Sequence, residues 1–277
     1  MLTHILFAVF VALAVYAQST TGFALALILL GLVGLTDLVP LPDAANAVTV
    51  LIIVNALIFF YSRRIARVER SIIPAVAATL VGAFVGMGLL TFLAANAYQV
   101  LRMLLGFSVV LCAVLLWRKS VPFSTTSSSG YFTTVGLISG ILGGLFSAAG
   151  PPLVYAVYRQ PWSLERIQES LIFCFAVGAV LRLIIMAASG NFSPLAVMLT
   201  IEALPVTAIV TAFSASWKPP VSSTTMKYAV CVMLIFSGVG MLISSIEEIS
   251  TQTLATGEAS YANHHQSRAL EIQKAYR

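Results

Sequence analysis

An all-α polytopic membrane protein made of two inverted repeats is the fold predicted by three observations on this sequence. First, hydrophobic residues make up 59% of the 277 and charged ones only 9%, whereas a soluble domain carries about 25% charged residues. The mean hydropathy is correspondingly +0.98. Second, the basic residues cluster in short segments between apolar runs, the distribution that orients spanning helices. Third, one composite pattern occurs twice, at residues 14–30 (AVYAQSTTGFALALILL) and 143–158 (GGLFSAAGPPLVYAVY): an apolar run, a break of small residues with a glycine, then a fresh apolar run. Each repeat is predicted to be a broken or re-entrant helical hairpin followed by three spanning helices.

In chain order, residues 2–17 and 22–35 form the first hairpin, each short of the ~20 residues that cross a bilayer. Val15-Tyr16-Ala17 has the form of a signal-peptide cleavage site. No Lys or Arg precedes its apolar core, however, and a second apolar run follows at once, so the segment is read as a retained helix. The loop 36–43 carries Asp37 and Asp43 and no basic residue, while the span 44–61 exits into Arg63, Arg64, Arg67 and Arg70. That loop is expected in the cytoplasm. Residues 72–94 then cross outward and 98–117 return to Arg118 and Lys119.

A Ser/Thr-rich stretch, 121–130, links the first repeat (1–120) to the second (131–246). The hairpin 131–158 leads to a loop with Arg159 and Arg166. Residues 171–188 go out, the uncharged turn 190–193 lies outside, and 194–217 return to Lys218 and Lys227. Residues 226–245 leave again, which puts the polar tail 247–277 outside. All basic loops then share one side, in the inner cell membrane, and each half holds an odd number of complete crossings, so the copies are inverted. Setting Gly22 over Gly150 also brings the two final spans close to register. Gly82 with Gly86, and Gly136 with Gly140, stand one helical turn apart and predict close backbone packing.

The same reading excludes several functions. Cys112, Cys174 and Cys231 stand singly in apolar runs, without the spacing of a disulfide framework or zinc site. His4 is terminal and His264 and His265 lie in the tail, so no metal ligand set and no cofactor is expected. No basic run alternates with aromatics, which removes nucleic acid as a partner. An intramembrane enzyme needs a nucleophile and base on facing spans, and none is present. The partners expected are the lipid bilayer and, from the helix breaks, a small anionic solute, with a homo-oligomer left open.

The anion follows from the breaks. A helix N-terminus exposes unpaired N–H groups and the positive end of a dipole. Pro151 suits a first helical position, and Thr20 or Thr21 can cap the other start. Ser19, Thr20, Thr21 and Gly22 in the first break, and Ser147, Ala148, Ala149, Gly150 and Pro151 in the second, are therefore the candidate substrate-binding residues. The other reading of them is that they satisfy backbone groups freed by a helix break.

These breaks, TTGFALALILL and GGLFSAAGPPLVYAVY, with a basic loop after the next span, resemble the TauE/SafE family of membrane permeases over about residues 5–245. The resemblance implies export or exchange of small anions, with sulfite, organosulfonates and related small organic acids as the substrate class, and no catalytic residues. Family members often carry further glycines where this chain has Ser19-Thr20-Thr21 and Ser147-Ala148-Ala149. A drug/metabolite-type exporter of another small solute and a non-transporting scaffold are the alternatives.

Ionisable residues inside spans are the remaining signal, since each is unfavourable by roughly 2.5–3.5 kcal/mol or more. Arg182 and Glu202 are the two identified, at similar distance from the turn 190–193, and a mutual ion pair is expected, serving structure or coupling. Gln18 and Asn55 are candidates to line a polar pore, with an interhelical hydrogen bond as the alternative for Asn55.

Overall fold

The computed structural model describes residues 2–63, 67–117, 123–146, 151–190, 192–216, 228 and 230–245. These fold into α1 (Leu2–Thr21), α2 (Leu25–Thr36), α3 (Leu41–Arg63), a 3-10 turn (Arg70–Ile72), α4 (Ile73–Asn96), α5 (Tyr98–Trp117), α6 (Ser129–Phe146), α7 (Pro151–Tyr158), α8 (Leu164–Ala188) and α9 (Pro194–Ser216). A shorter apolar helix, α10 (Val230–Ser245), follows. Seven of these helices are long and apolar enough to cross a membrane; α2 and α10 are apolar but shorter, and α7 has only 8 residues. The protein is an all-α, multi-pass membrane protein.

The helix ends follow local chemistry. Proline opens α7 and α9, where its missing N–H leaves no donor unpaired. Ser163 caps α8 by accepting from the Arg166 amide at 3.4 Å, with Glu165 in the first turn. Two boundaries depart from expectation: α8 begins at Leu164 rather than near Leu171, and α1 continues through Thr21 instead of stopping near Ala17. The Thr20 hydroxyl donates to the Tyr16 and Ala17 carbonyls at 3.0 Å, and Thr21 donates to Ala17 at 2.6 Å. These back-bonds keep the last turn helical. The turn to α2 is then made at Gly22 and Ala24, both left-handed at φ 84° and 94°.

Packing pairs the helices of one half with those of the other. The glycine stripe of α4 lies against that of α6: a Cβ on Gly136 would stand 2.7 Å from Ala75 Cα, one on Gly140 2.8 Å from Thr79 Cα, and one on Gly144 2.8 Å from Gly86 Cα. The expected small-residue packing is therefore present, and both helices run in the same direction. So do α1 and α9, since His4 meets Glu202 and, further along both, Ser19 and Thr211 share Asn55. Helices α3 and α8 are antiparallel: Asn46 meets Arg182 at one end, and Arg67, just beyond α3, meets Glu165 at the other.

The loops divide between two ends. Around Arg67, its Nη1 pairs with Glu165 at 2.9 Å, its amide donates to Glu169, and Arg166 pairs with Glu69 at 3.3 Å. The linker docks at the loop after α7, through Ser127 N–H to Gln160 Oε1 (2.9 Å) and the Arg159 guanidinium 4.1 Å over the Phe123 ring. At the other end Arg102 pairs with Asp37 at 3.0 Å, and Ser193 donates to Asp43 at 2.5 Å. Arg64, Arg118, Lys119, Lys218, Lys227 and the tail 247–277 lie outside the described residues.

Candidate functional site

The first break is closed by its own neighbours. The Leu25 amide that opens α2 donates to Gln18 Oε1 at 3.1 Å, so the cap is Gln18 and not Thr20 or Thr21; the Thr21 hydroxyl oxygen accepts instead from the Phe23 amide, ahead of the helix, at 3.4 Å. The carbonyls released at the end of α1 are met from the other half: Tyr158 donates to Thr21 O at 2.7 Å, and the Gln168 amide donates to Thr20 O. The Phe23 ring stands edge-on to Tyr158 at 5.9 Å. A Cβ at Gly22 would lie 2.7 Å from the Gln168 Cα, so only glycine allows α8 to approach.

Gln18 and Asn55 do come together. Asn55, fully buried on α3, accepts from the Gln18 amide at 3.2 Å and donates to Ser19 Oγ at 3.3 Å and Thr211 Oγ1 at 2.8 Å. This amide–hydroxyl cluster ties α1, α3 and α9 together one turn before the break. Its members satisfy one another, as buried polar groups must.

The second break begins where α6 ends. Ser147, Ala148, Ala149 and Gly150 lie outside the described residues, while Pro151 is buried at the first position of α7. Ser139 of α6 accepts from the Leu153 amide at 2.9 Å, capping that start. Tyr158, which meets the first break, is at the other end of α7, and eight helical residues span about 12 Å. The side chain that reaches the first break therefore comes from the C-terminal end of α7, the end opposite Pro151.

Arg182 and Glu202 do not pair. Arg182 is 1% exposed and donates from Nε to Thr49 Oγ1 (3.1 Å), from Nη2 to Asn46 Oδ1 (3.2 Å) and from Nη1 to the Gly144 carbonyl. No carboxylate is among its partners in the described residues. Glu202 instead accepts from His4 Nδ1 at 2.8 Å, both side chains more than a third exposed. The physical reason is rotation about the helix axes: α8 turns residue 182 toward α3 and the end of α6, while α9 turns residue 202 toward α1. His4, terminal in the sequence, is accordingly part of a helix long enough to span.

Two buried charges were not picked out by the sequence pattern. Arg102 lies one turn inside α5 and is 2% exposed; it donates to Gly34 O at 2.9 Å and pairs with Asp37, closing the C-terminus of α2. Glu169 is 2% exposed within α8 and holds the Arg67 backbone. Their closeness to helix ends concealed them, yet the acidic residue in the loop facing Arg102 was a usable signal.

This geometry offers a buried cation at one broken helix, polar hydroxyl and amide clusters, and no paired nucleophile and base among the described residues. Residues 6–241 match the family described as Sulfite exporter TauE/SafE. The chain belongs to the TauE/SafE family. A curated relative, the "Probable sulfite/organosulfonate exporter TauE" of Cupriavidus necator, is 28% identical over 231 residues, covering 83% of this chain and 90% of its own length. No solved structure matches the chain significantly. As a TauE/SafE member with seven helices able to span, it is an integral membrane transporter rather than an enzyme.

Proposed function

We propose that this TauE/SafE protein exports sulfite or an organosulfonate by alternating access between two inverted halves, 1–120 and 131–246, joined at the cytoplasmic end by the linker 121–130. The observation that carries the substrate class is the similarity, across nearly the whole chain, to a relative named for sulfite and organosulfonate. The inverted arrangement is supported by reciprocity in the packing. The first helix of each half lies parallel to the fourth helix of the other, α1 on α9 and α6 on α4, while the third helices, α3 and α8, run antiparallel across the centre.

In this reading the two broken helices line one path at two depths. Ser19, Thr20, Thr21 and Gly22 stand toward the arginine-rich end and Pro151 toward the other; with Ser147, Ala148, Ala149 and Gly150 they are the residues proposed to bind the anion. The halves rock about the α3–α8 contact and expose the anion to each side in turn. The arginine-rich end is cytoplasmic, because arginines concentrate there. Proteoliposomes loaded with labelled sulfite or methanesulfonate test this: the parent releases the label and Gly150→Val, which crowds the second break, does not. Release no faster than from empty liposomes, for both anions, would overturn the reading.

A further inference from the structure

A fully buried guanidinium that meets only neutral acceptors calls for a counter-charge. Arg182 sits where α6 ends, and the carbonyl of Gly144 in the last turn of that helix faces it. A helix C-terminus carries only about half an elementary negative charge, so a substantial positive charge remains uncompensated in an apolar interior. Three of the five guanidinium N–H groups are engaged. The remaining two have no partner among the described residues.

The surroundings fix the orientation of this charge. Asn46 and Thr49 stand one turn apart on α3 and hold the guanidinium plane from the first half, while Arg182 itself belongs to the second. Next to it is a cavity of about 10 Å³ lined by Thr79, Gly143, Phe175, Gly178 and Arg182. That volume admits about one water at most, so a larger ligand enters only as α4, α6 and α8 separate. The planar fork of an arginine suits an oxoanion, which can take two parallel N–H bonds, better than a point charge would.

We infer that Arg182 is the substrate's counter-charge: an oxoanion of the sulfite or sulfonate type binds its two remaining N–H groups beside the end of α6, with Asn46 and Thr49 as positioning residues from the opposite half. The inference rests on the transport reading for the identity of the anion, and not for the existence of the site. It gives the anion a charged ligand in place of a site held by backbone N–H groups and hydroxyls alone. It also makes binding a bridge between halves, so that occupancy biases their relative position.

Asn46→Asp tests it without removing the arginine, because it places a carboxylate 3.2 Å from Nη2 and so supplies an internal counter-ion. The measurement is the melting temperature of purified full-length protein against concentrations of sulfite and methanesulfonate, with chloride at equal ionic strength as control. In the parent the two oxoanions raise Tm with the logarithm of concentration beyond any chloride effect. In Asn46→Asp the ligand-free protein melts at or above the parent, and the apparent affinity for both oxoanions falls by more than about tenfold. Arg182→Gln loses the oxoanion response, and Arg182→Lys recovers only part of it. An Asn46→Asp response equal to the parent's overturns the assignment, as does a parent that melts identically in sulfite, methanesulfonate and chloride. A parent that binds the anions, and loses them in Asn46→Asp, yet moves no sulfite in liposomes leaves the site standing and overturns the transport reading instead.

Discussion

Replacing Gly140 with alanine adds one methyl group within the glycine-lined contact of α4 and α6, and its effect can be worked out from the backbone. A Cβ there would lie 2.8 Å from Thr79 Cα, and closer still to the Thr79 carbonyl oxygen, against at least 3.4 Å for ordinary van der Waals contact. Both neighbours are backbone atoms, so no side chain can rotate away, and bringing the oxygen from 2.4 Å to 3.4 Å requires α4 and α6 to part by about 1 Å. A gap of that size forfeits about a quarter or more of the dispersion energy along the stripe. It also lengthens the bond from Thr79 Oγ1 to the Gly136 carbonyl, now 3.1 Å. Overpacking of this kind destabilises by about 1–3 kcal/mol, or a fall in Tm of roughly 2–10 °C for a chain of this size. Gly88, on the facing helix α4, is the control, because a Cβ added there meets nothing within 4 Å. Gly88→Ala should raise Tm slightly or leave it unchanged, since alanine is the better helix former. Thermal melting of the three proteins in one detergent is sufficient. If Gly140→Ala melts with the parent, or if both variants lose stability equally, then the glycine stripe does not set the α4–α6 distance.

Other predictions concern the break, the ends and the charges. Tyr158→Phe removes the donor to the Thr21 carbonyl and leaves a buried acceptor unsatisfied, so Tm should fall by the equivalent of about 1–3 kcal/mol; an unchanged Tm would show that another donor takes its place. Single cysteines at the exposed Ser62 and Ser189 should react with an impermeant reagent from opposite sides of the membrane. Cys112, Cys174 and Cys231 are buried and should stay silent in that assay. Glu202→Gln breaks a pair with His4 that is partly in solvent, so the loss of stability should stay under about 1 kcal/mol, whereas Arg182→Gln should be several times more damaging. Equal effects of those two substitutions in a melting series would contradict the environments described for them.

The amino-acid sequence by itself determined that the chain spans a membrane, where its helices lie, and which loops are basic, because these properties depend on hydropathy and charge along one dimension. It also determined the two breaks and the glycine pairs, since glycine, proline and small residues act through the local backbone. Tertiary structure alone decided what each polar group meets. Sequence distance placed Arg182 and Glu202 at similar depth, yet depth is only one coordinate. Rotation about the axes of α8 and α9 sent the arginine to Asn46, Thr49 and the end of α6, and the glutamate to His4. The same holds for the cap of α2: Gln18 supplies it across the left-handed turn at Gly22 and Ala24, while the Thr21 oxygen accepts from the Phe23 amide before the helix begins. Arg102 and Asp37 are 65 positions apart and pair only because α5 packs beside the end of α2. Partners that far apart along the chain are chosen by how helices rotate and pack, which no local pattern of residues records.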